Sequence, residues 1–205
     1  MNKTVVVNGH TIEIGREIDV TEFLRLYRLG LKNFSTFTFK PNQTIRELMI
    51  HNVTFGNVSF NMMNFVNCKF IHCSFNSSKF NNIHFLSNQF EKCDFKSAIF
   101  KNVVFQKVDL VGGSIEFAKF KQSIFVETHF IDNVESNGAY FNYCDLSKIV
   151  MTSLSFKNVS VYGSALSSMI KDKAKLENAI FTDEETYVDK TKQMDFVNYS
   201  ETIIR

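Results

Sequence analysis

From Phe55 to Phe130 every fifth residue is apolar, and fourteen of the sixteen positions marked this way are phenylalanine, Leu110 and Ile115 being the others. Neither regular element has this period. An α-helix returns a face to the same side every 3.6 residues and a strand every second residue, so the chain is wound by something else. The composition is unusual in the same sense: 23 Phe with no Trp, one Pro and eight Gly among 205 residues describe one repeated slot filled by one residue type. An ordinary core mixes Leu, Ile and Val.

A second pattern runs beside the first. Two residues before each large position stand Val53, Val58, Met63, Cys68, Cys73, Ser78, Ile83, Asn88, Cys93, Ala98, Val103, Val108, Gly113, Ala118, Ser123 and Thr128, most of them small or apolar. The other three slots of each five hold mainly Asn, Ser, Lys, Gln, Glu, Asp and His, the residues of a water-facing surface. The runs Cys93-Asp94-Phe95-Lys96-Ser97, Ala118-Lys119-Phe120-Lys121-Gln122, Cys144-Asp145-Leu146-Ser147-Lys148 and Ala174-Lys175-Leu176-Glu177-Asn178 resemble the pentapeptide-repeat family, whose motif is a small residue, a polar one, Leu or Phe, and two variable ones. The resemblance runs from about Leu48 to Phe181. It implies an all-β fold, a right-handed quadrilateral β-helix with four fives per coil.

On a coil of twenty, residues twenty apart stack at the ~4.8 Å spacing of neighbouring strands. The interior columns are then Phe55, Phe75, Phe95, Ile115; Phe60, Phe80, Phe100, Phe120; Phe65, Phe85, Phe105, Phe125; and Phe70, Phe90, Leu110, Phe130. The register slips once: eleven residues separate Phe130 from Phe141, which predicts a bulge or small loop around Glu135-Ser136-Asn137-Gly138. It resumes through Phe141, Leu146, Met151, Phe156, Val161 and Leu166, breaks at Lys171, and returns at Leu176 and Phe181. Five to seven coils make a rod of roughly 25–35 Å.

Three parts are predicted: a cap over residues 1–44, the repeat over 45–181, and a tail over 182–205. In the first, Thr4–Val7 and Thr11–Ile14 are joined by Asn8-Gly9-His10, the strongest short hairpin signal. Asp19-Val20-Thr21-Glu22 reads as a capping box opening a helix from about Val20 to Leu31. Its apolar face, Phe23, Leu24, Tyr27 and Leu31, is assigned to covering the first coil, with a partner-docking element as the competing reading. The repeat is read as beginning at Leu48-Met49-Ile50. In the tail, Met194, Phe196, Val197, Tyr199, Ile203 and Ile204 either cover the last coil or make a homodimer contact, since an open sheet edge invites pairing.

Charge excludes a steering field of either sign, because 23 basic and 21 acidic residues leave a net +2. There is no run of eighteen apolar residues, and the apolar patch at Val5-Val6-Val7 is too short for a secretory core. Together with four cysteines that do not form a dense disulfide pattern, this places the protein in a reducing compartment, cytoplasmic, or secreted into a host cell without a cleavable signal peptide.

Cys68, His72, Cys73 and Cys93 resemble a metal cluster only in one dimension. The cysteines, Cys144 included, share the small inward phase and His72 does not, so they are read as buried inert thiols. His10, His51, His84 and His129 lie in different columns with no nucleophile or carboxylate at a recognisable catalytic spacing. No phosphate loop or zinc-hydrolase motif occurs. The eight Asn-x-Ser/Thr triplets, among them those at Asn52, Asn57 and Asn158, follow from Asn, Ser and Thr filling outward slots. No catalytic, cofactor or metal residue is assigned, and no enzyme is expected.

Residues 53–166 carry ten Lys against eight acids, there is no Arg between Arg46 and Arg205, and the aromatic residues are placed inside. Direct nucleic-acid binding is therefore not expected, and Lys119 and Lys121 are read as solvated surface. The remaining classes are a non-catalytic protein-interaction scaffold and a DNA mimic that shields type II topoisomerases from inhibitors. The family contains both, and the scaffold class includes bacterial effectors with a short non-repeat N-terminal region. A mimic needs an acidic prism, so the scaffold, with a protein partner and effector activity toward a host protein, is the preferred reading.

Overall fold

The computed structural model describes residues 3–151, 155–166, 175–177 and 180–182, and the coils wind through about seven turns of a right-handed quadrilateral β-helix. Three of the four fives in a coil supply a short strand whose middle residue is buried and whose two neighbours point out, as in Lys79–Asn81, Ile99–Lys101 and Lys119–Lys121, and the remaining five is joined to its neighbours by single bridges. Strands stack in parallel with partners twenty residues apart: Phe60, Phe80, Phe100 and Phe120 lie directly in line, and so do Phe65, Phe85, Phe105 and Phe125.

The rung spacing dictates the ring geometry. Within a column the phenyl planes are nearly parallel, 4.6 Å apart at centroid with an interplanar angle of 4° for Phe100–Phe120 and 4.9 Å with 6° for Phe75–Phe95. Rings in neighbouring columns meet edge to face, as Phe90 and Phe95 do at 5.1 Å and 77°. Both are favourable arrangements of the aromatic quadrupole. Each buried ring contributes roughly 1.5–3 kcal/mol from area alone.

The corners carry a signal that residue type alone did not reveal. Every fifth residue from Asn52 to Asp132 has a positive φ, between 49° and 63°. Asparagine tolerates this left-handed conformation better than other side chains with a Cβ, and Asn52, Asn57, Asn67, Asn82 and Asn102 all occupy such corners. Asn158 does the same at φ 52°. The Asn-x-Ser/Thr triplets at Asn52, Asn57 and Asn158 thus start at turns that favour Asn, a more specific cause than general outward polarity.

The inward small slots also hold more than volume. Cys68 Sγ donates to the Ile45 carbonyl at 3.5 Å, Ser78 Oγ to that of Phe55 at 2.6 Å, Asn88 Nδ2 to that of Phe65 at 2.7 Å and Thr128 Oγ1 to that of Phe105 at 3.0 Å. In each case the acceptor lies 23 residues earlier. A backbone carbonyl inside a prism must find a donor, and a short polar side chain on the next rung supplies it.

The single inserted residue is not where the spacing placed it. Asp132 and Asn133 both have φ 56°, and Ser114 bridges Glu135 rather than Val134, so the extra residue lies in the turn before Val134. The register downstream is shifted by one: Ser114 bridges Glu135 and Lys119 pairs with Tyr140. Ser136, not a large residue, therefore takes the interior position below Ile115, and it is buried. A second irregularity lies between Ile124 and Thr128, where pairing to the Asp145–Met151 strand shifts on either side of Val126.

The interior columns extend upstream of Leu48 to Phe34 and Phe39. Phe34 packs on Phe55 at 5.8 Å and Phe39 on Phe60 at 5.1 Å, with one extra residue between Phe39 and Ile45 absorbed at Asn42, φ 58°. At the far end, Leu176 pairs with Phe156 and Phe181 with Val161, restoring the twenty-residue spacing. Lys171 and the 183–205 segment, including the tail assigned to capping or dimerisation, lie outside the described residues.

The first forty residues close the N-terminal end. Strands β1 (Thr4–Val7) and β2 (His10–Glu13) pair antiparallel with Val7 opposite His10, so Asn8-Gly9 is a two-residue turn with φ 48° and 80°. Asn8 Nδ2 donates to the Leu29 carbonyl at 2.8 Å, tying this turn to the end of helix α1 (Val20–Arg28). The helix stops three residues before the predicted Leu31, because Gly30 with φ 98° ends it in a left-handed cap. Phe23 and Leu26 are fully buried, and Phe23 sits 4.8 Å from Phe34 and 5.8 Å from Phe55. The helix covers the first coil.

Half of the predicted capping box forms. Asp19 Oδ1 accepts the Glu22 N–H at 2.9 Å, but the Glu22 carboxylate turns to Arg25, at 2.6 Å, and to Arg16. The Arg25 hydrogen bond, reinforced by Arg16 against partial desolvation, lowers the Glu22 pKa to about 2. A depressed carboxylate stabilises the fold above its unfolded pKa and loses that contribution as pH falls through the folded value. Glu22→Gln is accordingly expected to lower Tm at pH 7, with the gap to wild type closing between about pH 4.5 and pH 2. Thermal melts of both proteins across that range check it.

Candidate binding face

Four faces follow from four fives per coil, and the residues flanking each interior position decide what each face shows. The first face, joined by single bridges from Asn33 through Thr54, Ser74, Asp94 and Ser114 to Glu135, carries Asp94, Lys96, Glu116 and Glu135. The third carries Val66, His84, Leu86, Val104, Gln106, Ile124 and Val126. The fourth carries Lys69, Ile71, Gln89, Glu91, Asp109, Val111, His129 and Ile131.

The second face is different. It is a parallel sheet of Ser59–Asn61, Lys79–Asn81, Ile99–Lys101, Lys119–Lys121, Tyr140–Asn142, Ser160–Tyr162 and Ile180–Thr182. From Ser59 to Tyr162 its outward positions hold Lys79, Lys101, Lys119 and Lys121 and no acid. Lys101 stands directly opposite Lys121 on the next rung, and Lys119 directly opposite Tyr140.

Elsewhere the rungs match opposite charges. Lys96 Nζ meets Glu116 at 3.2 Å, Lys69 Nζ meets Glu91 at 2.9 Å, and His129 Nδ1 meets Asp109 at 2.8 Å. Among the described residues none of the four second-face lysines makes an ion pair. Like charges directly across a ladder are mildly destabilising, so this face keeps an electrostatic cost that the first and fourth faces avoid.

Aromatic groups border the lysines. Tyr140 and Tyr162 flank interior positions of the same sheet. Tyr143 occupies the corner after Asn142 with φ 51°, is 53% exposed, and meets Tyr162 edge to face at 5.4 Å. Asn142 Oδ1, opposite Lys121, is buried with no hydrogen-bond partner.

Cys68, Cys73, Cys93 and Cys144 are free, buried thiols. Burial pushes Cys68 and Cys93 up and Cys144 up to about 12, while the hydrogen bond from Cys93 draws Cys73 down. His72 stands at an exposed left-handed corner, φ 52°. His84 lies on the third face, where burial lowers its pKa despite a 3.3 Å contact to Gln106. His51 is on the fourth face, its backbone N–H donating to the Tyr27 hydroxyl, and His10 is in the hairpin. Among the described residues no three His, Cys, Asp or Glu side chains converge in a geometry able to hold a metal ion. No helix among them is long and apolar enough to cross a membrane.

Sequence reasoning missed two juxtapositions, the Asp109–His129 pair and the lysine face. Both follow from a spacing of twenty or a neighbouring rung, a signal available once residues are laid out by coil. The statement that aromatic groups point inward holds for the phenyl columns. It does not extend to the tyrosines at 140, 143 and 162.

Residues 89–130 match the family model described as pentapeptide repeats, in eight copies. No curated protein matches the chain in sequence. Among solved structures, trypsin-treated QnrB1, a plasmid-mediated fluoroquinolone resistance protein, is 12% identical, with 87% of this chain and 94% of that chain covered and a TM-score of 0.36. HetL, a pentapeptide-repeat protein involved in heterocyst differentiation regulation from Nostoc sp. strain PCC 7120, is 12% identical over 80% of this chain and 94% of its own, with a TM-score of 0.19. Rfr23 from the cyanobacterium Cyanothece 51142 is 12% identical over 78% and 99%, with a TM-score of 0.29. With its five-residue register, its stacked phenyl columns and the family-model match at residues 89–130 inside them, this chain carries pentapeptide repeats wound as a β-helix.

Proposed function

We propose that the protein is a non-catalytic protein-interaction scaffold whose recognition groups are the outward residues of the prism. The observation that carries this reading is the filled interior: between the fourth and fifth coils, from Phe95 to Phe130, the void is only about 10 Å³. That is about the space of one water. Flat, chemically distinct faces on a rigid core are instead suited to docking another surface. The finer reading, a bacterial effector acting on a host protein, rests on the short non-repeat region over residues 1–44. Since α1 is engaged with the first coil, the recognition surface of such an effector would be the faces themselves.

The surface charge counts against a DNA mimic. Four lysines on three successive rungs, with no acid on that face from Ser59 to Tyr162, oppose the negative field that a duplex surrogate needs. In a gyrase supercoiling assay with a fluoroquinolone, the protein is expected to give no protection. Affinity capture from bacterial and host-cell lysates is expected to retain a specific protein that is lost when outward residues of one face are exchanged. Gyrase protection, or retention indifferent to every face exchange, would refute the proposal.

A further inference from the structure

We propose that the second face also binds single-stranded nucleic acid, the lysines contacting phosphates and the tyrosines stacking on bases. This goes beyond protein docking and uses a surface whose chemistry points to a polyanion. Lys119 and Lys121 are two residues apart on one strand, ~6.6 Å, and Lys101 lies one rung, ~4.8 Å, from Lys121. These distances are on the scale of successive phosphates along an extended strand. The four ammonium groups have no carboxylate on their face and no ion-pair partner among the described residues, so no internal pair must break before they meet a ligand.

The tyrosines decide between a nucleic acid and an acidic polypeptide. Tyr140 stands directly below Lys119, and the exposed Tyr143 ring at the adjoining corner packs edge-on against Tyr162. A basic groove or face bordered by aromatic rings is the common arrangement for single strands, because every base has a face to stack. Lysines without arginine supply point charges and no bidentate base readout, so binding is expected to depend little on sequence. A duplex hides its bases and offers nothing for the tyrosines to stack on.

The test is fluorescence anisotropy of the full chain with a labelled oligothymidylate of about 20 nucleotides in about 50 mM salt. The strand is expected to bind with a log K against log salt slope near −3, corresponding to about 0.7 per phosphate contact for four lysines. The K79Q/K101Q/K119Q/K121Q variant is expected to lose affinity about tenfold or more, and Tyr140→Ala or Tyr143→Ala about fivefold or more with the lysines intact. Circular dichroism on each variant confirms that the solenoid persists. Absence of oligothymidylate binding, or binding unchanged in the four-lysine variant, would overturn the proposal. So would a polyglutamate peptide of matched charge binding equally well with no effect of the tyrosine changes, the outcome that identifies an acidic polypeptide site. None of these results depends on a protein partner, so failure here leaves the scaffold reading to its own test.

Discussion

Phe95→Asp is expected to abolish the cooperative unfolding transition of the solenoid. Phe95 is 2% exposed, stacks on Phe75 at 4.9 Å, and meets Phe90 at 5.1 Å and Phe100 at 5.7 Å. Removing such a ring costs about 3–5 kcal/mol through lost burial and the cavity left behind. Aspartate then adds a carboxylate among phenyl rings, at several kcal/mol more if ionised and unpaired. The sum is comparable with the whole stability of an ordinary domain, about 5–15 kcal/mol. Because each coil contacts only its neighbours, the loss divides the rod. Chemical denaturation followed by circular dichroism should show a broad, early loss of signal for Phe95→Asp and a shifted but sigmoidal curve for Phe95→Leu.

Gly113→Val is expected to be the next most damaging change, although the residue occupies a slot filled by Val53, Cys73 and Cys93 in the coils above. Gly113 has φ +84°, and a Cβ built there would lie 2.2 Å from the Cys93 carbonyl oxygen and 2.8 Å from the Cys93 nitrogen. Those are backbone atoms of the rung above and cannot rotate away. The Cys93 carbonyl also accepts the Ser114 N–H at 3.0 Å, so moving it breaks a ladder bond. Overpacking of this kind costs about 1–3 kcal/mol, and the left-handed backbone adds about 1–2 kcal/mol for a β-branched residue. Gly112 is the internal control. It has φ +60°, like neighbouring corners that hold Asp132 or Lys92, and its nearest contacts would be 3.6 Å. Gly112→Asn should change the denaturation midpoint little, while Gly113→Val lowers it strongly; equal effects would refute the steric argument.

The repeat itself was legible because the same inward slot recurs on every fifth residue, and Phe55 to Phe130 fill it almost without variation. The hairpin was equally legible, since Asn8-Gly9 carries its turn geometry in two residues. What escaped was what depends on the coil rather than on the five. The extra residue at Asn133 could be placed only to within one gap from the spacing of Phe130 and Phe141, because Val134 and Ser136 both fit neighbouring phases. The Glu22 arm of the capping box yielded to two arginines, a competition between a backbone N–H and charged donors that the local motif does not encode. The lysine face required adding positions 79, 101, 119 and 121, which are scattered in the chain and adjacent only after three successive coils are stacked. Charge totals averaged it away.

The interior carries the fold, and the outward residues are left for recognition. The most direct measurement is the thermal melt of K79Q/K101Q/K119Q/K121Q beside wild type at low and moderate salt. If the lysines are spare of structural duty, removing like charges one rung apart leaves Tm unchanged or raises it. Wild type should then gain more than the variant when salt shortens the Debye length to about 10 Å. A variant that melts clearly below wild type at both salt concentrations would show that these lysines support the scaffold, and the division would fail.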